Sequence, residues 1–352
     1  MSTWNKVKLG DVVTFQRGHD LPKTEFVTGK YPIAGSNGII GYHNTFTTKG
    51  PGITVGRSGN LGTPFYYEKD FWAHNTTLYV KEFHNSHPKF VFYFLKTLDL
   101  AGHNSGSAVP SLNRNFIHPI EVIIPDLPTQ SRIAAILSVF DDKIELNRQM
   151  NHTLEQMAKA LFKKYFVDDV DSDNLPIGWR INKLGNVIEI KYGKDHKHLE
   201  DGKIPVYGSG GIMRYVNQAL YDGESILIPR KGTLSNLFYL KKPFWSVDTM
   251  FYTKIKNEFY GLYLFHLFKS MNFAEMDVGS AVPSLTTEVL NNLEVVIPSK
   301  DLLKMFDDLV APMFVRIDYN IEESKTLASL RDNLLPKLMS GEINLEQVPT
   351  TA

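Results

Sequence analysis

Two glycine-rich stretches carry side chains of the types that read base edges: Lys49–Asn60, KGPGITVGRSGN, and Asp222–Thr233, DGESILIPRKGT. Arginine and lysine suit guanine, asparagine and glutamine suit adenine, and serine or threonine serve either. Arg57, Asn60, Asn75, Arg230, Lys231 and Asn236 are of these types. Ser58 and Ser235 adjoin them, and Arg17, Lys49, Arg114, Lys194, Lys197 and Arg214 add cations for phosphate or base contact. Any one of these taken alone reads equally as an ordinary surface polar residue.

Catalytic constellations are scarce by contrast. No G-x-G-x-x-G follows a strand-like run, and no Walker-type loop, H-E-x-x-H or G-x-S-x-G occurs. Cysteine is absent, which excludes disulfides, thiol nucleophiles and Cys-ligated metals. His196 and His198 have zinc-like spacing, but they sit in a lysine-rich stretch that reads as a solvated basic loop. No catalytic residue and no metal ligand is assigned. No run reaches the ~18–20 apolar residues of a membrane span, and the N-terminus has no apolar signal region. The expectation is a cytoplasmic, non-enzymatic protein.

Positioning such residues needs a scaffold, and the scaffold is duplicated. GSAVPSL occurs at Gly106–Leu112 and again at Gly279–Leu285, an offset of 173. The same offset aligns Pro32–Tyr42 with Pro205–Tyr215, Arg57 with Arg230, Phe71-Trp72 with Phe244-Trp245, and Val122–Pro125 with Val295–Pro298. Upstream it becomes 175, pairing Trp4 with Trp179 and Gly18 with Gly193. The histidines break the pattern: His43 aligns with Val216 and His74 with Val247, which disfavours a catalytic role.

Each repeat begins with a mixed α+β head. Short β-type runs at Asp11–Phe15, Ile53–Val55, Thr77–Val80 and Val122–Ile124 lie between turn residues. Gly35–Gly38 and Gly208–Gly211 read as hairpin turns. Helices fit His87–Leu100 and Glu258–Lys269, and Ser111 and Ser284 read as caps of short helices. Each repeat ends in a long helix with a heptad seam. In the first, Leu137, Phe140, Ile144, Asn147, Asn151, Leu154, Ala158, Leu161 and Tyr165 follow it. In the second, Val310, Met313, Ile317, Asn320, Ser324, Leu327, Arg331, Leu334 and Leu338 do, with kinks expected at Pro312 and Pro336. One apolar stripe needs one partner, so the two helices are expected to pair as an antiparallel coiled coil with pseudo-two-fold symmetry. About 38 residues at ~1.5 Å each make a rod of roughly 55 Å. Asn147 and Asn320 share a seam position and would set its register, unless they sit at a wet end. The segments are then 1–128, 129–167, an acidic linker 168–177, 178–299 and 300–345.

Formal charge is zero over 352 residues, which taken whole argues against a nucleic-acid partner. By segment the picture differs. Residues 1–126 carry net +3 and 178–298 net +2, against −2 for 127–177 and −3 for 299–352. Two mildly basic heads stand on an acidic stalk, and phosphate contact needs local charge, not global charge.

Over nearly its whole length the chain resembles the specificity subunits of type I restriction–modification systems. The resemblance rests on the head–helix–head–helix order and on local motifs. These are Leu9–Val12, the two GSAVPSL segments, Ile123–Pro125 followed by Pro128–Leu137, Leu175–Trp179 and Leu334–Ile343. The stretch Ser299–Leu302 departs from the pattern where the first copy has Pro128–Ser131. The resemblance implies two target-recognition domains, each reading half of a bipartite, asymmetric site in double-stranded DNA, and a helix pair that sets the spacer. It also implies two methyltransferase subunits and, through them, two restriction/translocase subunits. S-adenosylmethionine, ATP and magnesium would belong to those partners, with no cofactor on this chain. A stand-alone two-headed DNA-binding regulator and a pseudo-symmetric enzyme with a site between the heads are the competing readings.

Overall fold

The computed structural model describes residues 4–104, 110–168, 170–171, 174–231, 234–271, 273, 285–343 and 345. The GSAVPSL segments therefore fall largely outside the described residues, as does the expected cap Ser284. The chain divides into two compact units, Met1–Asn147 with Glu322–Ala352, and Arg148–Ile321.

The head of the first unit runs β1 (Trp4–Lys8), α1 (Leu9–Val12), β2 (Val13–Arg17), β3 (Tyr31–Gly35), β4 (Gly38–His43), β5 (Gly52–Gly56), β6 (Pro64–Tyr67), β7 (Trp72–Ala73), β8 (Thr77–Phe83), α2 (Pro88–Leu95), α3 (Arg114–Ile117) and β9 (Glu121–Pro125). One sheet has the order β2-β8-β5-β6, another β4-β3-β7, and β1 pairs antiparallel with β9. The strand expected at Asp11–Phe15 begins only at Val13. Leu9–Val12 forms a helical turn instead, because the Asp11 carboxylate accepts the Lys8 N–H at 3.1 Å and caps it. The helix expected at His87–Leu100 stops at Leu95, where the Thr97 hydroxyl donates to the Phe94 carbonyl at 2.7 Å and closes the last turn. Ser111 is not a cap. It lies in an extended bridge to Ser58, and Asn113 caps α3 by accepting the Asn115 N–H at 3.0 Å. The Gly35–Gly38 hairpin is present, with those two glycines paired across the turn.

The second unit's head repeats this topology. Its elements are β10 (Arg180–Lys183), α5 (Leu184–Val187), β11 (Ile188–Tyr192), β12 (Asp201–Gly208), β13 (Gly211–Val216), β14 (Ser225–Pro229), β15 (Phe238–Leu240), β16 (Trp245–Ser246), β17 (Met250–Ile255), α6 (Tyr260–Ser270), α7 (Thr287–Asn292) and β18 (Glu294–Ile297). The sheets are β11-β17-β14-β15, β13-β12-β16 and β10-β18. Every strand has its counterpart, in the same order, in the first head.

The long helices are α4 (Leu127–Phe166) and α8 (Lys300–Met339), 40 residues each. α8 continues through Pro312 and Pro336 as one helix. Within the first unit the start of α4 runs antiparallel to the end of α8: Lys143 pairs with Glu323 at 3.2 Å, and Asp141 pairs with Arg331. Within the second unit the end of α4 meets the start of α8, with Phe166 edge-on to Phe306 at 5.0 Å. All the seam positions expected from the heptads are buried or half-buried.

Each pair of half-helices also completes a head. Ile133, Ala134 and Leu137 of α4, with Leu335, Leu338 and Met339 of α8, join Leu9, Phe15, Ile53 and Phe90 in the first core. Ala158, Phe162 and Phe166 of α4, with Leu303, Phe306 and Val310 of α8, join Leu184, Ile226, Phe251 and Phe268 in the second. Burying one such side chain stabilises by roughly 1.5–3 kcal/mol.

Candidate nucleic-acid interface

In the first unit, β2 ends at Arg17 and β5 at Gly56, and both lead into one cleft. Gly18 follows Arg17 because no side chain fits: a Cβ there would lie 2.1 Å from the His74 carbonyl oxygen. Beyond β5 the backbone of Arg57 is held on both sides. Its N–H donates to the Thr76 carbonyl at 2.8 Å, and its carbonyl accepts the Leu112 N–H at 2.9 Å. The guanidinium is half-buried and reaches the Asn75 carbonyl at 3.4 Å. Arg114 opens α3 just after its Asn113 cap and is exposed.

Gln16, Arg17, Arg57, Lys81, Asn113 and Arg114 line a cleft of about 840 Å³. Asp20 is the one carboxylate among its described lining residues, against four cations. A concave surface of one sign concentrates its field and attracts polyanions. His118, beside Arg114, adds no charge at neutral pH. Burial first, and then the Arg114 charge, holds it below the usual histidine range, and its Nε2 accepts the Phe15 N–H at 3.0 Å.

The cleft unites three of the expected residues, Arg17, Arg57 and Arg114. Ser58 and Asn75 border it: Ser58 bridges to Ser111, and the Asn75 amide donates to the Asp20 carboxylate. Asn60 is turned to Thr63, accepting its hydroxyl at 2.9 Å. Lys49 is exposed at the opposite end of β5 and does not line the cleft. Gln16, Lys81 and Asn113 were missed. Gln16 and Lys81 alternate with buried Phe15 and Val80 on paired strands, so a strand-by-strand facing pattern carried the signal.

The second unit builds the same frame with other side chains. A Cβ on Gly193 would lie 2.0 Å from the Val247 carbonyl oxygen. Arg230 N–H donates to Thr249 at 2.9 Å, and its carbonyl accepts the Leu285 N–H at 3.2 Å. Tyr192 replaces Arg17, and the Arg230 guanidinium lies over its ring at 5.3 Å. Thr287 replaces Arg114, with its hydroxyl 3.5 Å from that of Tyr192. Lys254 holds the place of Lys81. Lys194, Lys197, Lys231 and Ser235 are exposed. Asn236 is exposed too, but its amide donates to the Ser209 carbonyl at 2.8 Å and ties down the hairpin turn. Arg214 is the weakest of the set for reading DNA, because its guanidinium already donates to Asp201 at 2.8 Å and to the Leu199 carbonyl at 3.0 Å.

Asn147 and Asn320, expected to set the register, lie inside the seams. Both are fully buried. The Asn147 amide donates to Glu323 at 2.7 Å and Ser324 at 3.2 Å, and that of Asn320 to Asn151 at 2.7 Å. Among the described residues there is no cluster of three metal-ligating side chains, and no helix long and apolar enough to cross a membrane.

Comparison with known proteins matches residues 1–156 and 176–309 to the type I restriction modification DNA specificity domain. The chain is 25% identical over 302 residues to the MjaIX type I restriction enzyme specificity subunit of Methanocaldococcus jannaschii, covering 74% of this chain and 70% of that protein. It is 24% identical to a putative type I specificity subunit of Mycoplasma pneumoniae, covering 96% of both. The crystal structure of a type I restriction–modification S subunit from M. genitalium shares the fold, with a TM-score of 0.67 at 22% identity over 96% of each chain.

Proposed function

The chain belongs to the type I restriction–modification DNA specificity family, and we propose that each of its two heads reads one half of a bipartite, asymmetric DNA site. Its role in DNA recognition is non-catalytic, and it acts within a multiprotein complex. The observation that carries the two-half reading is the shared clamp on Arg57 and Arg230. Main-chain hydrogen bonds hold both arginines alike, while their neighbours differ: Arg17 and Arg114 in one head, Tyr192 and Thr287 in the other. One frame with two donor sets suits two different base sequences.

In this reading Arg57 and Arg230 contact bases. Arg17, Arg114, Lys81, Lys194, Lys197, Lys231 and Lys254 supply phosphate or base contacts, with Lys49, Ser58, Asn60, Asn75, Ser235 and Asn236 at the margins. The paired helices set the spacer between half-sites, and Asn147 and Asn320 fix their register. Two methyltransferase subunits join the chain, and two restriction/translocase subunits join through them. S-adenosylmethionine, ATP and magnesium act on those partners, in the cytoplasm.

The test is site selection from a random duplex library by the chain with its methyltransferase partner. Two conserved patches separated by a fixed spacer are expected, and a single patch would refute the reading. Removing one heptad from both helices should shorten the spacer. An unchanged spacer would refute the ruler.

A further inference from the structure

The hairpins β3–β4 and β12–β13 repeat where the cleft side chains diverge. Ile39, Ile40 and Tyr42 are 52%, 37% and 53% exposed, and their counterparts Ile212, Met213 and Tyr215 are 42%, 60% and 40% exposed. Both edge strands carry the same bulge. Ile33 pairs with Gly41 and Ala34 with Ile39, which leaves Ile40 over; Val206 pairs with Arg214 and Tyr207 with Ile212, which leaves Met213 over. An inserted residue re-aims side chains at a sheet edge. A glycine opposite makes the room. A Cβ on Gly35 would meet Ile40 Cγ2 at 2.6 Å, and one on Gly208 would meet Met213 Sδ at 2.6 Å. Ile40 and Met213 therefore lie across the hairpin backbone in both heads.

The tips of these hairpins abut the arginine loops. The Ser36 hydroxyl lies 3.5 Å from where a Cβ on Gly59 would stand, and Asn236 donates to the Ser209 carbonyl at 2.8 Å. The exposed apolar residues thus belong to hairpins whose tips adjoin the loops assigned to DNA above. A two-stranded ribbon fits the major groove, and the apolar feature of that groove is the thymine C5-methyl group.

We propose that Ile39 and Ile40 in one head, and Ile212 and Met213 in the other, are specificity residues that pack on a thymine methyl and so fix an A·T pair in each half-site. The inference rests on the reading that each head binds DNA. It adds an asymmetry. Isoleucine is stiff at χ1 and demands one shape, whereas methionine adapts, so the first head should discriminate at its A·T pair more sharply than the second.

The experiment uses the full chain with its methyltransferase partner and a duplex carrying the selected site. Each thymine is replaced in turn by deoxyuridine, which deletes one methyl and nothing else. At one position per half-site, uracil should weaken binding, about four-fold in the half-site of the first head, the worth of one buried methyl, and less in that of the second. The Ile40→Ala variant should show no further loss at the first position, nor Met213→Ala at the second. Uracil tolerated everywhere, or a half-site without an A·T pair, would overturn the proposal while leaving two-headed DNA binding intact. So would variants that lose assembly with the methyltransferase subunit yet discriminate bases as before, since the hairpin would then belong to a protein interface. Failure of the unaltered complex to bind any site would overturn the underlying reading and this inference with it.

Discussion

Where helices meet head in the first unit, three polar side chains interlock. The Tyr93 hydroxyl donates to Asp141 Oδ2 at 2.5 Å, and Arg331 of α8 pairs with the same carboxylate. At the same three positions the second unit has His266, Phe314 and Ala158. There the imidazole stacks on Phe162 at 5.7 Å and meets Phe306 and Phe314 edge-on at 5.9 Å. One half is joined by an ion pair, the other by aromatic rings, on the same backbone. The proposed recognition faces differ in the same manner, Arg17 against Tyr192 and Arg114 against Thr287. In the arginine loops main-chain hydrogen bonds and close glycine approaches hold the frame, and at the junctions the packed cores that the helices complete do so. The side chains are thereby released to diverge, provided that volume is filled and buried polar groups find partners.

The comparison can be broken most forcefully at the ion pair. Asp141→Ala leaves Tyr93 facing an empty acceptor site and Arg331 with Asp332 alone, and should destabilise the first unit by about 2–3 kcal/mol in urea unfolding. Replacing all three residues by the second unit's set, Tyr93→His, Asp141→Phe and Arg331→Ala, should recover most of that loss. If the triple variant is no better than Asp141→Ala, the two junctions are not interchangeable solutions.

The second effect is one of pH. Burial, helped by the Lys269 charge, holds His266 down at about 4. Its folded value lies below the ordinary 6.5, so the unfolded chain takes up the proton first as pH falls. The stabilising contribution is complete above about pH 6.5 and is lost progressively toward pH 4. Going from pH 7 to 5 should cost the second unit about 2 kcal/mol. His266→Phe should flatten this slope, and an unaltered slope in thermal melts would locate the titration elsewhere.

At the recognition faces, Arg57→Ala and Arg230→Ala should each cost about 1–3 kcal/mol in binding and relax one half-site only. Equal discrimination at both half-sites after either substitution would remove the base-reading role. The smallest effect concerns the seam. Asn147→Leu should change stability by less than about 1 kcal/mol, since Glu323 retains Lys143, while widening the range of spacers bound. A spacer range as narrow as before would deny Asn147 its register role.

Much of the scaffold was legible because it rests on local or periodic signals. The heptad seams emerged from spacing alone, and paired glycines marked both hairpin turns. Other elements were misread where a side-chain hydrogen bond overrode the run of apolar residues. Asp11 converted the start of a strand into a turn, Thr97 ended α2 early, and Asn113 took the cap expected of Ser111. Among the candidate residues, type and loop position picked out Arg17, Arg57 and Arg114. Gln16 and Lys81 were passed over, because their facing depends on the pairing of β2 with β8.

The amino-acid sequence by itself determined the duplication, the two basic heads, the paired helices and the family. Each of these is written in identity, charge or period along the chain. Only the tertiary structure decided which cations share a cleft, that Arg214 is engaged by Asp201, and that Leu335, Leu338 and Met339 complete the core of the first head. Those outcomes depend on contacts between residues far apart in the chain, set by packing and by the competition for hydrogen-bond partners, and no local pattern encodes them.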